Sequence, residues 1–168
     1  MSLDLNSATG LFLGLAIGDA MGSPIEFEKP RPRDNYIRRY QSGGFHSVSK
    51  GEFTDDTSMA LAMANALIES QKTNGYPFDG HMIMNNFLDW RYNGKFSPRE
   101  KCFDVGLTVS GALWKYKEDK TNPFTGCTHC KSAGNGGLMR LAPVLIVAKN
   151  KSEAIYPVSY THLTLPTI

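Results

Sequence analysis

The chain has 168 residues and a formal net charge of +2, with 41% hydrophobic and 20% charged residues. That length suggests one domain with an ordinary buried core, and the composition is globular rather than disordered. So small a net charge argues against nucleic acid or an anionic membrane surface as a partner.

The only local basic cluster, Arg31, Arg33, Arg38 and Arg39, is broken by Pro30 and Pro32 and reads as a solvated loop. Apolar periodicity elsewhere is mostly helical. Residues 5 to 21, with Leu11, Phe12, Leu15, Ala16 and Met21, predict a first helix, which Gly22-Ser23-Pro24 ends. Gly14 and Gly18 sit four apart there, leaving a face that another helix can approach. The apolar run Leu11 to Ile17 lacks the basic leader of a signal peptide, and no stretch is expected to reach the length of a membrane span.

Residues 28 to 53 read as loop with at most one helical turn, because Pro30, Pro32, Gly43, Gly44 and Gly51 punctuate them. Residues 55 to 71 form the clearest helix, with Met59, Ala62, Met63, Ala66 and Leu67 on one stripe that should face the core. Asn74-Gly75 and Pro77 close it. A third helix covers 79 to 93, with Met82, Ile83, Phe87 and Trp90 aligned, and a fourth runs from about Val105 to Lys117. A fifth follows the glycine-rich turn at 134 to 137 and runs to about Ala148, with Pro143 expected to bend or break it. No alternating strand pattern is present, so the expected class is all-α with long loops.

Three cysteines without a secretory signal suggest a reduced, cytoplasmic protein. Cys127-Thr-His-Cys130 is one C-x-x-C half-site, whereas a structural zinc site usually takes two. With only Cys102 and His129 as further donors, these read as ordinary thiols. Residues 158 to 168 carry no charge and resemble the translation of a transposase adaptor used in library preparation. They are read as a non-native tail after a natural segment 1–157, and are set aside from the fold reasoning.

Three stretches carry possible chemistry. In Thr54-Asp55-Asp56-Thr57, Thr54 or Asp55 would cap a helix, and acids favour the positive end of its dipole. At a loop-to-helix junction the same carboxylate and hydroxyl oxygens can also converge on a hard cation, which would relieve the repulsion of adjacent acids. In "GLFLGLAIGDAMGSPIEF", residues 10 to 27, Asp19 stands at a helix C-terminus, where the dipole disfavours an acid, and Glu26 follows within one loop. In "SAGNGGLMRLAPV", residues 132 to 144, glycines before a helix either connect elements or present bare amides to an anion.

Together and in order, "GDAMGSPIEF", "FTDDTSMALAMANALIES", "CFDVG" and "SAGNGGLMRLAPV" resemble the ADP-ribosylglycohydrolase family, over residues 10 to about 150. The resemblance implies an orthogonal all-α helical bundle and a site with two divalent cations, magnesium or manganese. It implies hydrolysis of ADP-ribose from a modified protein side chain or small molecule. Residue by residue, Thr54, Asp55 and Asp56 look like the first half of the metal site, with Asp55 or Asp56 positioning the attacking water or taking its proton. Glu26 is similar to the loop glutamate over the substrate ribose. Asn135, Gly136, Gly137 and Met139 look like part of the wall around the diphosphate and ribose. Asp19 and Asp104 fall in matching stretches and are grouped with the substrate-binding residues.

The family's second ligand cluster, Asp-x-Asp-Thr, has no counterpart after Asp119. The chain is therefore expected to be the N-terminal part of a family domain, inactive alone, with the activity belonging to the whole. The family resemblance also extends to a lens crystallin, which keeps open a non-catalytic structural or ADP-ribose-binding role.

Overall fold

The computed structural model describes residues 3–127 and 134–148. The described residues form five α-helices and no strand: α1 (Leu5–Gly22), α2 (Asp55–Asn74), α3 (Gly80–Asn93), α4 (Leu107–Glu118) and α5 (Ala142–Val147). The expected all-α class holds. Short 3-10 turns at Ser23–Ile25 and Arg33–Asn35 interrupt the loop between α1 and α2. One isolated antiparallel bridge, Gly43 to Val48, pinches that loop.

The helix ends follow local chemistry. Asp4 caps α1 by accepting from the Ser7 amide at 2.8 Å, and Asp79 caps α3 through the His81 and Met82 amides. Gly75 and Gly94 end α2 and α3 in the left-handed conformation. Gly94 is also sterically required, since a Cβ there would lie 2.1 Å from the Glu100 carbonyl oxygen.

The core lies where α2 packs along α3, with α4 and α5 closing it. Met59, Ala62, Met63, Ala66 and Leu67 are all buried, as the stripe predicts. Ile83, Phe87 and Trp90 meet them from α3, and Leu113 and Tyr116 from α4. Each such side chain contributes roughly 1.5–3 kcal/mol by leaving water. Asn65 donates to Asn86 at 2.9 Å, pinning the register of α2 on α3.

Three expectations need correction. Pro143 neither bends nor breaks α5 but sits in its first turn, where its missing N–H leaves no intrahelical bond unmade. The small-residue face of α1 receives no helix among the described residues, since a Cβ at Gly10, Gly14 or Gly18 would meet nothing within 4 Å. And α1 with its following turn, Leu5–Ile25, is long and apolar enough to cross a membrane, at a mean hydropathy of 1.2. Leu5, Ala8, Ala20, Met21 and Ile25 extend the apolar stretch beyond Leu11–Ile17. His129, Cys130 and the 158–168 tail lie outside the described residues.

Candidate active site

The C-terminal end of α1, the N-terminal end of α2 and the loops around residues 26, 104 and 135 enclose an open cleft of about 660 Å³. Its lining includes Asp19, Glu26, Thr54, Asp55, Asp56, Asp104, Asn135 and Met139. Gly136 and Gly137 do not line it; both are buried behind it. Gly136 lies so close to α4 that a Cβ would come within 2.6 Å of Val109 Cγ2.

The α2 terminus is not capped as its sequence suggests. Thr54 is the N-cap residue, yet its side chain makes no capping hydrogen bond. The cap comes from Asp19 on α1. Asp19 Oδ2 accepts from the Thr57 amide at 3.0 Å and the Thr57 hydroxyl at 2.6 Å. Asp19 Oδ1 accepts from the Thr54 hydroxyl at 2.8 Å, and both oxygens lie within 3.0 Å of the Thr54 amide nitrogen. The acid that opposes the dipole of its own helix is thus held by the positive end of the next one. Asp55 and Asp56 follow in the first turn, half-buried and facing the cleft.

Opposite them, Glu26 and Asp104 meet around His46. The His46 Nε2 atom lies 2.9 Å from Asp104 Oδ1 and 3.5 Å from Glu26 Oε2. The ligand-type atoms of these three residues all lie within 4.8 Å of one another, which makes them a second conceivable cation group. Arg99 brings the loops together: it grips Glu52 through Nε at 2.6 Å and a terminal nitrogen at 3.0 Å. It also donates to the His46 carbonyl at 3.1 Å and lies 4.0 Å over the Phe103 ring. Gly44 permits the 43–48 loop to press on the turn before Glu26, because a Cβ there would lie 2.4 Å from the Pro24 carbonyl oxygen. Phe27 and Asp104, both beside the cleft, hold left-handed φ angles of 64° and 56°.

Neither His46 nor Arg99 stood out in the sequence. Both act through contacts across some fifty positions, and no local pattern reports those.

The electrostatics are one-sided. No lysine or arginine lines the cleft among the described residues. Burial, followed by the charges of Asp104, Asp56 and Asp19, pushes the Asp55 carboxyl up to about 8. Burial, then Asp19 and Asp104, raises Asp56 to about 6. Burial, then the charge and hydrogen bond of Asp104, raises Glu26 to about 7. Hard oxygen donors with uncompensated negative charge are the chemistry a divalent cation fits, and Thr54, Asp55 and Asp56 supply those donors.

Comparison with known proteins gives the family. The sequence is 36% identical over 157 residues to the ADP-ribosylarginine hydrolase Tri1 of Pseudomonas putida (strain GB-1), covering 94% of this chain and 40% of that protein. It is 32% identical over 155 residues to the ADP-ribosyl-dinitrogen reductase glycohydrolase of Rhodospirillum rubrum, covering 89% and 47%. A solved structure described as an ADP-ribosylglycohydrolase-related protein complex superposes with a TM-score of 0.70 at 33% identity, over 92% of this chain and 48% of that one. The chain thus spans less than half the length of these relatives. The ADP-ribosylglycohydrolase profile itself matches residues 2–164, and the chain belongs to that family.

Proposed function

We propose that this chain supplies the N-terminal part of a cleft that hydrolyses the bond between ADP-ribose and a modified side chain, with arginine as the first candidate. The observation that carries the reading is the convergence of Thr54, Asp55 and Asp56 with Glu26, Asn135 and Met139 around one cleft that no lysine or arginine lines among the described residues. The arginine linkage rests on the relative named ADP-ribosylarginine hydrolase.

Cleaving a bond at the anomeric carbon of ribose develops oxocarbenium-like positive charge, which a ring of carboxylates stabilises. Thr54, Asp55 and Asp56 would hold magnesium or manganese, which when bound lowers the pKa of a water and orients hydroxyl groups. Asp55 or Asp56 positions the attacking water and takes its proton. Glu26, with its carboxyl near neutrality, sits across the cleft and accepts or donates hydrogen bonds at the ribose hydroxyls. Asn135 and Met139 form the wall against the sugar and diphosphate. Asp104 shares the cleft wall with Glu26, and His46 Nε2 lies 2.9 Å from the one and 3.5 Å from the other. A reducing, cytoplasmic setting suits this assignment and belongs to the proposal.

The test is release of free ADP-ribose from an ADP-ribosylated arginine peptide with magnesium or manganese present. It uses both the 168-residue chain and a longer protein carrying the rest of the family domain. Release by the longer protein that stops in a chelator supports the reading. A longer protein that neither releases ADP-ribose nor binds a divalent cation would favour a structural role.

A further inference from the structure

Asp19 was grouped with the substrate-binding residues, but its hydrogen bonds assign it different work. We propose that Asp19 is a positioning residue, which caps α2 in place of Thr54 and so leaves the Thr54 hydroxyl oxygen facing the cleft as a ligand. The inference rests on the cation reading above and goes beyond it, because it gives Asp19 the work of holding Thr54 and the start of α2.

The argument begins with what an N-cap threonine ordinarily does. Its hydroxyl oxygen turns back to accept from the amide two or three residues on. Here that amide belongs to Thr57, and it donates to Asp19 Oδ2 instead. The Thr54 hydroxyl is thereby released from capping. Its one hydrogen has two acceptors in reach, Asp19 Oδ1 at 2.8 Å and Asp55 Oδ1 at 3.3 Å; the shorter bond goes to Asp19, and the lone pairs are the part left for another partner. A carboxylate that accepts the hydrogen bond of a ligating hydroxyl fixes its orientation and increases the electron density on its oxygen.

Asp19 is also buried and fully engaged. The Thr54 and Thr57 amides and hydroxyls account for both of its oxygens. Little acceptor capacity remains for a ribose hydroxyl. The same bonds join the end of α1 to the start of α2, so the direction of the Asp55 and Asp56 side chains depends on them.

The test separates position from charge and from stability. Mn2+ binding to the 168-residue chain is followed by electron paramagnetic resonance in the wild type, Asp19→Asn, Asp19→Glu and Asp4→Ala. Asparagine removes the charge. Glutamate keeps the charge but displaces the carboxylate by one methylene. Asp4→Ala removes the α1 cap far from the cleft and controls for lost stability. Both Asp19 variants are expected to bind Mn2+ at least ~10-fold more weakly, as loss of ligand support does. Asp4→Ala should bind as the wild type does. Wild-type affinity in Asp19→Glu would overturn the positioning role, since charge alone would then suffice.

Hydrogen exchange of the peptide spanning residues 53–58 gives a readout independent of any metal. It should speed up at least ~10-fold in Asp19→Asn while α3 keeps its rate, and an unchanged rate overturns the proposal. If the wild-type chain binds no Mn2+, this half of the site does not hold a cation by itself, and the exchange result alone decides for or against Asp19 as the cap. Should both Asp19 variants fail to fold, Thr57→Val removes only the 2.6 Å hydroxyl bond. It is expected to speed the same exchange about fivefold, and no change again overturns the assignment.

Discussion

Replacing Asp55 by asparagine is expected to stabilise the cation-free protein, the reverse of what most substitutions at a half-buried helix start do. The Asp55 carboxyl is raised from its usual 3.8 to about 8, chiefly by burial and then by Asp104, Asp56 and Asp19. For a group raised on folding, the stabilising contribution is complete below the unfolded pKa and is lost as pH rises through the folded one. The cost therefore accumulates between pH 3.8 and about 8. Each pH unit in that window corresponds to about 1.4 kcal/mol, which sets an upper bound of roughly 4 kcal/mol near neutrality. Asparagine escapes this cost and still fits the first turn, but it gives up ~0.3–1 kcal/mol of attraction to the helix dipole. With residual solvent screening, a net gain of roughly 2 kcal/mol is expected, or about 4–8 °C in Tm. Thermal unfolding in a chelator at about pH 7.5 measures it, and the gain should shrink as pH falls toward 4. A destabilised Asp55→Asn protein at pH 7.5, or a gain independent of pH, would refute the reasoning.

In a protein carrying the complete family domain, Asp55→Asn or Asp56→Asn should lower ADP-ribose release by at least ~100-fold, beyond the loss expected for a mere supporting residue. Circular dichroism should hardly change, because asparagine is a good residue at a helix start; full activity in a normally folded variant would remove the metal role. Arg99→Ala should cost about 1–3 kcal/mol in urea unfolding, because it leaves Glu52 and the His46 carbonyl without their charged donor. A change below ~0.5 kcal/mol would mean that this tie does not hold the loops. Leu107, Leu138, Leu13 and Ile17 stand exposed, Leu107 at 93%, so the 168-residue chain should self-associate in sedimentation experiments. Leu13→Ser with Ile17→Ser should reduce that association, and a monomeric wild-type chain at high concentration would contradict it.

Which parts could be read from the sequence depends on the distance over which each interaction works. The α2 stripe from Met59 to Leu67 is legible because helical periodicity is local, and every residue of it is buried. The Thr54-Asp55-Asp56 cluster is legible for the same reason, being contiguous. Asp19 was conspicuous as an acid at the wrong end of a helix, but its partner lies 35 residues away, so the anomaly could be seen and its resolution could not. His46 was silent because a histidine between glycines and serines in a loop has no local signature. Its place beside Asp104 depends on Arg99 gripping Glu52. Gly136 and Gly137 look like an anion-binding turn, yet Gly136 meets a close approach of Val109. A glycine that lets two elements touch and one that bares its amides look alike in sequence.

The most direct measurement is anomalous diffraction at the manganese edge from crystals of the protein soaked in Mn2+. The account predicts a peak roughly 2 Å from the Thr54 hydroxyl oxygen and the carboxylates of Asp55 and Asp56. A peak instead among Glu26, His46 and Asp104, or none in the cleft, would contradict it.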